Sequence, residues 1–330
     1  MKKCFLLVLF IISINNNLLS NVFVTSRPLG NGRMGNDLIA YIHAQWIAYE
    51  NNLKFYYQPF DKSDYLMCSV MDEHLPNINN NRSWQKTVLR DVRKVPICSE
   101  KMNRKKHRLL EFVFLTYFSD TFVQQVKTNP GFLKHIRKRI APRTPLKLIH
   151  PPKDVLSLAV HIRKGGGWDA SLGSVQVFNL QYNRDRYLRP KEIVYVDTIF
   201  PLTHPPEQYY IDQIIEFSRL HDHQPIYVFI FTDEPLIENL VKRIKEQVNL
   251  SNIIFDYRKD GTGFHKYALD DFFSFQNFKN VVFTGKSTFT SIINLICDFD
   301  LKIYPTTYHW EYDELGRGYL FMDNIVYERN

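Results

Sequence analysis

The stretch from Ile226 to Phe255 reads IYVFIF-TDE-PLIENLVKRIKEQ-VNLSN-IIF. The apolar run at 226–231 predicts a buried β-strand, and the apolar residues spread through 235–247 predict a helix. A second strand is predicted at 253–255. A strand, a helix and a strand in this order are typical of a parallel sheet with helices on both faces. The stretch therefore indicates an α/β fold.

The same alternation continues on both sides of this stretch. Strands are predicted at 157–162, 281–283 and 301–304, and helices at 207–220, 270–278 and 288–296. Nearer the N-terminus, a strand at 22–25, a helix over 37–49 and a strand at 54–57 form a βαβ unit. Asn36 stands where it would cap that helix.

The middle of the chain is predicted to be helical and to end in a linker. An apolar and aromatic run at 109–122 predicts a buried helix, and 131–140 predicts a basic helix. Four prolines between 142 and 152 predict a linker between domains. We therefore expect two domains, an N-terminal one at 21–150 and a C-terminal one at 151–330.

The positive charge is concentrated in one segment. The chain of 330 residues has a formal net charge of +8, and the segment 82–108 holds ten Lys and Arg against Asp91 and Glu100. Such a segment attracts phosphate-rich partners or an anionic membrane surface, and the alternative is a solvated helix face. Because no RNA-recognition or zinc-finger signature is present, nucleic acid is not expected as the main partner.

The first 20 residues are typical of a targeting segment. Lys2 and Lys3 precede an apolar run at 4–14, which is too short to span a bilayer. We expect a signal peptide or a short anchor, with an N-terminal core strand as the alternative. A functional leader would place the protein in the secretory pathway or at a membrane; otherwise it would be cytoplasmic. Pairing of Cys68 with Cys98 stays open.

Two loops resemble phosphate-binding motifs. The loop from Gly30 to Gly35 matches G-x-G-x-x-G between a strand and a helix, which suits a dinucleotide, but Gln58 stands where a ribose-binding acid is needed. The run from Gly285 to Thr288 resembles the end of a Walker A loop, but it lacks the earlier glycine. The hydroxyls of Ser287 and Thr288 at a helix start could still bind phosphate, or could only cap the helix.

Polar residues stand at the ends of two predicted strands and at the start of one predicted helix in the C-terminal part. His161 and Arg163 end a strand, and ligands of open α/β sheets bind at the carboxyl ends of strands. Arg163 offers a fork for a diphosphate, or could pair with a structural carboxylate. Asp233 and Asp271 could contact a ribose or base, or cap helices. The histidines lack the spacing of metal ligands, so no metal site is expected.

With these motifs, the chain resembles the α-1,2-fucosyltransferases of glycosyltransferase family 11 and, more widely, the α-1,6- and protein O-fucosyltransferases. Four segments match in the family's order: Gly32 to Asp37, His161 to Gly165, Phe231 to Asp233, and Lys286 to Ile292. Three departures are Lys164 for the family's second arginine, Gly166 for its aspartate, and Ser291-Ile292 for its tryptophan pair.

The resemblance implies a GT-B-like α/β fold, with two Rossmann-like domains and the donor site in the cleft. It also implies inverting transfer of fucose from GDP-fucose to a glycan hydroxyl, often of a galactoside, without a metal or other cofactor. The donor-binding residues it implies are Gly35, Asn36, His161, Arg163, Asp233, Asp271, Ser287, Thr288 and Phe289. Arg163 would also act in catalysis, and Asp169 is the candidate base. The alternatives are an NAD(P)-dependent enzyme using the glycine loop and a non-catalytic glycan-binding protein of the same fold.

Overall fold

The computed structural model describes residues 22–28, 34–77, 84–89, 107–113, 118–164, 202–260, 267–312 and 318–329. The chain divides into two compact units, Met1–Pro145 and Leu146–Asn330. The leader expected at 1–20 and the basic segment between 90 and 106 lie outside the described residues. Within the described ranges, no helix combines the length and apolarity needed to cross a bilayer.

The N-terminal unit is built around a parallel sheet with the strand order β2-β1-β4-β3. Its elements are β1 (Val22–Arg27), α1 (Met34–Glu50), β2 (Lys54–Tyr56), α2 (Cys68–Met71), β3 (Trp84–Leu89), β4 (His107–Val113), α3 (Asp120–Lys127) and α4 (Pro130–Ile140). Helix α1 lays Ala40, Ala44 and Ile47 against the apolar residues Val24 and Leu110 of the two central strands. This packing holds the sheet and the helix in one core.

Two predictions for this unit are wrong. The single helix predicted at 109–122 is strand β4 followed by helix α3. Leu109 and Leu110 are both fully buried because a central parallel strand is covered on both faces, and such a run cannot be told from a buried helix by periodicity. Helix α1 begins at Met34, so Asn36 lies inside its first turn and is not its cap.

The C-terminal unit contains a six-stranded sheet in the order β10-β9-β8-β5-β6-β7. Its elements are β5 (Leu156–Ile162), α5 (Glu207–Leu220), β6 (Ile226–Thr232), α6 (Ile237–Val248), β7 (Ile253–Tyr257), α7 (Ala268–Ser274), β8 (Asn280–Val282), α8 (Thr288–Ile296), β9 (Leu301–Tyr312) and β10 (Gly318–Arg329). Strands β5 to β9 are parallel, and β10 returns antiparallel to β9. The predicted strand and helix alternation of this unit is confirmed.

Strand β9 is longer than predicted, and its hairpin partner β10 was not predicted. The sequence indicated a strand at 301–304, whereas β9 continues to Tyr312 and pairs with β10 along its length. Only Leu301, Lys302 and Ile303 of β9 pair with β8, so the rest of the hairpin extends beyond the carboxyl end of β8. Polar and aromatic residues dominate this extension, so it lacks the apolar run that marks a buried strand.

Candidate functional site

The candidate site lies at the carboxyl edge of the C-terminal sheet. Strands β5, β6 and β8 are adjacent and parallel, so the residues that follow them meet at one edge. His161 and Arg163 come from the end of β5, Asp233 follows β6, and Ser287 follows β8. Ligands of open α/β sheets bind at such an edge.

His161 connects two of the predicted motifs directly. Its ring stacks on Phe289 of α8, with ring centroids 5.2 Å apart and an interplanar angle of 25°. Burial lowers the pKa of His161 to about 4, an effect that the positive charge of Arg163 reinforces and Asp233 opposes. The ring is therefore neutral at pH 7, and its Nδ1 has no hydrogen-bond partner among the described residues.

Arg163 has an unsatisfied buried donor at this edge. Its Nε is buried and makes no hydrogen bond to any residue that the structure describes. Its carbonyl oxygen, in contrast, accepts a hydrogen bond from Nδ1 of His204 at 3.3 Å. Pairing of Arg163 with a structural carboxylate, the alternative raised by the sequence, is not found within the described ranges. An unpaired buried donor of this kind suits an anionic ligand.

Lys164 and Asp233 are hydrogen-bonded to side chains and backbone of the C-terminal unit. The backbone N–H of Lys164 donates to Oδ1 of Asp233 at 2.7 Å, and its Nζ donates to Oε1 of Glu207 at 2.8 Å. Asp233 does not stand at the cap position of α6, which is Leu236, and Glu234 accepts the hydrogen bond from the N–H of Leu236. Asp233 therefore joins the end of β6 to the end of β5.

Ser287 stands at the cap position of α8 but does not cap it. Its side chain makes no hydrogen bond to the first turn, and its Oγ is buried without a partner among the described residues. Thr288 and Phe289 are half-buried in the first turn. The capping alternative for Ser287 is therefore wrong. A free hydroxyl beside the first N–H groups of a helix, which lack partners within the helix, is a suitable anion contact.

Gly285 is needed for packing. A Cβ at this position would lie 2.3 Å from the carbonyl oxygen of Pro305 and 3.2 Å from Leu202 Cδ2. The next N–H, of Lys286, donates to the Leu202 carbonyl at 2.9 Å. The loop therefore packs closely against the start of the β9 extension. This close packing explains the glycine that makes the loop resemble a Walker A loop.

Asp271 forms an ion pair that the sequence did not indicate. Both Nε and NH2 of Arg258 donate to its Oδ1, at 2.9 and 2.7 Å. Burial raises the pKa of Asp271 to about 6, although the positive charge of Arg258 opposes this. Arg258 is itself buried, follows β7 at the same sheet edge, and stacks on the ring of Tyr267 at 4.7 Å. The strand was predicted to end at 255, so the sequence did not mark Arg258, which directly follows the longer observed strand.

His204 and Glu207 were also missed. Both stand just after the segment 165–201, which lies outside the described residues together with Asp169, the candidate base. His204 is 4% exposed and contacts the backbone of Arg163. Glu207 is the first residue of α5. An acidic residue at a helix start is a common stabilising feature, so the sequence indicated no further role for it.

The remaining predicted residues belong to the N-terminal unit. Gly35 is buried and Asn36 is half-buried in the first turn of α1. Residues 29–33 of the glycine loop lie outside the described part. At the carboxyl edge of this unit's sheet, the half-exposed Arg27 forms an ion pair with the buried Glu111.

No metal site or disulfide is found in the described part of the chain. Within those ranges, no group of three or more His, Cys, Asp or Glu side chains is arranged to hold a metal ion. Cys68 is a free, buried thiol, and burial raises its pKa to about 12. Cys98 lies outside the described residues.

The fold has counterparts among solved structures. An arginine-to-lysine mutant of Arabidopsis thaliana FUT1 in complex with GDP matches with a TM-score of 0.50 and 12% identity, covering 89% of this chain and 73% of that chain. POFUT1 in complex with GDP-fucose matches with a TM-score of 0.46 and 11% identity, covering 84% of this chain and 94% of that chain. No family model and no curated protein matches the chain.

At this level of identity the likeness concerns the fold alone. The chain has an α/β fold of the GT-B-like class, with two Rossmann-like domains. This agrees with the parallel sheet of the N-terminal unit and the mainly parallel sheet of the C-terminal unit.

Proposed function

We propose that the chain is a fucosyltransferase that transfers fucose from GDP-fucose to a glycan hydroxyl. The observation that carries the proposal is the group of buried polar atoms at the carboxyl edge of the C-terminal sheet: Arg163 Nε, His161 Nδ1 and Ser287 Oγ have no partners among the described residues. Buried polar groups are normally hydrogen-bonded, so such a group at a ligand-binding edge suits a polar ligand. The GT-B-like fold supports this proposal.

A diphosphate fits the chemistry of these groups best. Arg163 supplies positive charge, and the first turn of α8 supplies N–H groups and the positive end of the helix dipole. Ser287 adds a hydroxyl donor. His161, neutral at pH 7 because burial lowers its pKa to about 4, donates one hydrogen bond without adding a charge. This environment favours charge that develops on a leaving diphosphate.

Asp271 is suited to hold a nucleobase. Both hydrogen bonds from Arg258 go to its Oδ1, and Oδ2 is left to accept from adjacent N–H donors such as those of guanine. Arg258 would keep the carboxylate oriented during binding. In this proposal Asp233 acts on the donor through the backbone of Lys164.

The proposed reaction is a direct displacement. A bond forms between an acceptor oxygen and the anomeric carbon, and the bond from that carbon to the diphosphate oxygen breaks with its electron pair, releasing GDP. The configuration inverts, and the hydroxyl proton passes to a base, for which Asp169 remains the candidate. We propose that Arg163 and the α8 N-terminus supply the leaving-group stabilisation, with no divalent metal needed.

The acceptor side of the proposal rests on the family resemblance. It assigns a galactoside acceptor and an α-1,2 linkage to the enzyme, acceptor binding to the N-terminal domain, and a donor contact to Gly35 and Asn36. Entry into the secretory pathway, or membrane association, would depend on residues 1–20. Membrane contact through 82–108 is a further part of this proposal.

A nucleotide-binding screen of the purified full-length chain tests the proposal. GDP, UDP, ADP and NAD are titrated separately, and turnover of GDP-fucose is measured with and without excess EDTA. We expect GDP to bind most tightly and turnover to persist in EDTA. Preferential NAD binding would support the NAD(P)-dependent alternative. Absence of both GDP binding and donor hydrolysis would support a non-catalytic glycan-binding protein, and loss of turnover on chelation would indicate a metal-dependent transferase.

A further inference from the structure

The two residues after β5 make three contacts with other parts of the C-terminal unit. The N–H of Lys164 donates to Asp233, and the carbonyl oxygen of Arg163 accepts from the buried His204. The Lys164 ammonium lies 2.8 Å from Oε1 of Glu207. The backbone beside Arg163 is therefore anchored to the end of β6 and to the start of α5.

Glu207 is the centre of an ion-pair cluster. Besides Lys164, it accepts two hydrogen bonds from the Arg243 guanidinium of α6, from NH2 to Oε1 at 2.8 Å and from Nε to Oε2 at 3.1 Å. Burial acts to raise the pKa of Glu207, but the hydrogen bonds from Arg243 and Lys164 outweigh it and lower the pKa below its usual range. Glu207 is therefore a carboxylate at neutral pH, and it joins α5, α6 and the end of β5.

We propose that Glu207 is a positioning residue for the anion site and that its ion pair with Lys164 tethers the end of β5. The inference rests on the proposed function. Lys164 stands beside Arg163 and would be the obvious second cation for a diphosphate. Its ammonium, however, is hydrogen-bonded to Glu207, which also pairs with Arg243, whereas the Arg163 Nε has no partner among the described residues. Arg163 therefore binds the anion, and the pair of Lys164 with Glu207 sets where Arg163 stands.

This arrangement predicts an effect on rate more than on affinity. A misplacement of a catalytic group by about 1 Å can cost on the order of 100-fold in rate. Loss of the tether leaves the charge of Arg163 in place, so ground-state binding of GDP changes little. Stabilisation of the leaving diphosphate depends on geometry and falls. Because Lys164 and Glu207 act as one unit, removing both should be no worse than removing either.

A double-mutant cycle tests this inference. Lys164→Met, Glu207→Gln and the double variant are compared with wild type for kcat and KM with GDP-fucose and for GDP affinity. We expect each single variant to lower kcat on the order of tenfold and the double variant to be no slower than the singles. GDP affinity should stay within about threefold. Lys242→Met is the matched control, because Lys242 forms an exposed pair with Glu246 on α6, and it should match wild type.

Each outcome separates the inference from the proposed function. If Lys164→Met weakens GDP binding tenfold or more, and does so equally with Glu207→Gln present, Lys164 is a diphosphate ligand and the inference is wrong. Multiplying losses in kcat would also overturn it. A wild-type protein that neither binds GDP nor uses GDP-fucose would refute the proposed function itself. Melting curves check folding, and Lys164→Leu, which also cannot donate to Glu207, replaces Lys164→Met if that variant does not fold.

Discussion

At the scale of single residues, Arg163 is the group on which anion binding depends most in the proposed site. Removing a hydrogen bond to a charged group costs about 1.5–3 kcal/mol, so Arg163→Ala should weaken GDP binding by that order. Arg163→Lys should also weaken GDP binding, because an ammonium does not reproduce the guanidinium fork. Isothermal titration calorimetry with GDP measures both losses.

Arg219→Ala is the control for this prediction. Arg219 is an exposed arginine of α5 that pairs with Glu216 one turn away. Its replacement should leave GDP affinity unchanged. Equal GDP affinity in wild type and Arg163→Ala would show that Arg163 does not bind the donor.

Single residues also show where the sequence was insufficient. The identities of His161, Ser287 and Phe289 marked a candidate site, and the structure brings His161 and Phe289 into contact. The sequence did not indicate the hydrogen-bond partners of Asp233 and Asp271. Lys164 is 69 residues from Asp233 along the chain, and a hydrogen bond over that separation exists only once β5 and β6 pair.

At the scale of elements, two helix starts that carry serine behave differently. Ser119 Oγ accepts from the N–H of Phe122 at 3.2 Å and caps α3, whereas Ser287 at the start of α8 makes no capping bond. Ser119→Ala should therefore lower the free energy of unfolding by about 0.5–2 kcal/mol. Ser287→Ala should leave it unchanged or slightly raised, because a buried hydroxyl without a partner is removed.

In GDP affinity the two serine variants should rank in the opposite order to their rank in stability. Ser287→Ala is expected to lower GDP affinity severalfold, and Ser119→Ala is expected to leave it unchanged. Thermal melting and GDP titration of both variants check the prediction. A loss of stability in Ser287→Ala equal to that in Ser119→Ala would show that Ser287 is a cap after all.

The loop between β8 and α8 yields a second prediction about an element. In Gly285→Ala the new Cβ would meet the Pro305 carbonyl oxygen at 2.3 Å, a backbone atom that cannot move without shifting β9. Such overpacking typically costs about 1–3 kcal/mol. Gly131→Ala in α4 is the matched variant, because its Cβ would meet the far end of the Tyr49 side chain at 2.6 Å.

The two glycine variants should therefore differ in urea denaturation. The exposed Tyr49 ring can turn aside, and alanine is favoured over glycine in a helix by about 1 kcal/mol. Gly131→Ala should be near neutral, and Gly285→Ala should unfold at lower urea concentration. Equal stability of the two proteins would contradict the close packing of this loop against β9.

At the scale of the whole molecule, buried histidines predict acid sensitivity in both units. Burial lowers the pKa of His43 and His135 in the N-terminal unit, and of His161 in the C-terminal unit, to about 4. A histidine with a lowered pKa contributes stability above its ordinary value of 6.5, and that contribution is lost as the pH falls through about 4. Unfolding free energy should therefore drop between these values.

His43 is the best position to test this pH dependence. It lies in α1 among Phe112, Phe118 and Phe122, with ring centroids 4.3–5.0 Å away. The shift of its pKa corresponds to on the order of 3 kcal/mol. His43→Leu should lose less stability than wild type between pH 7 and 4.5, as followed by urea denaturation. Replacing the exposed His150 by leucine is the control, and an unchanged pH profile in His43→Leu would refute the assignment.

The sequence by itself determined the α/β class and most elements of the C-terminal unit, because apolar runs and helical periodicity are local properties of the chain. It also marked His161, Arg163 and Ser287, because strand ends and helix starts are readable from the same patterns. It misread 109–122, where a strand buried on both faces and a buried helix have the same apolar composition.

Only the tertiary structure decided which of the marked residues have partners. Pairing of β5 with β6 and β8 brings distant strand ends to one edge. Burial there leaves Arg163 Nε and Ser287 Oγ without partners among the described residues, whereas Lys164 pairs with Glu207. The tertiary structure also places Arg258 and His204 at this sheet edge, although the sequence did not mark them. Hydrogen bonds and desolvation depend on distances between residues that are far apart in the chain, and those distances exist only after the sheet has formed.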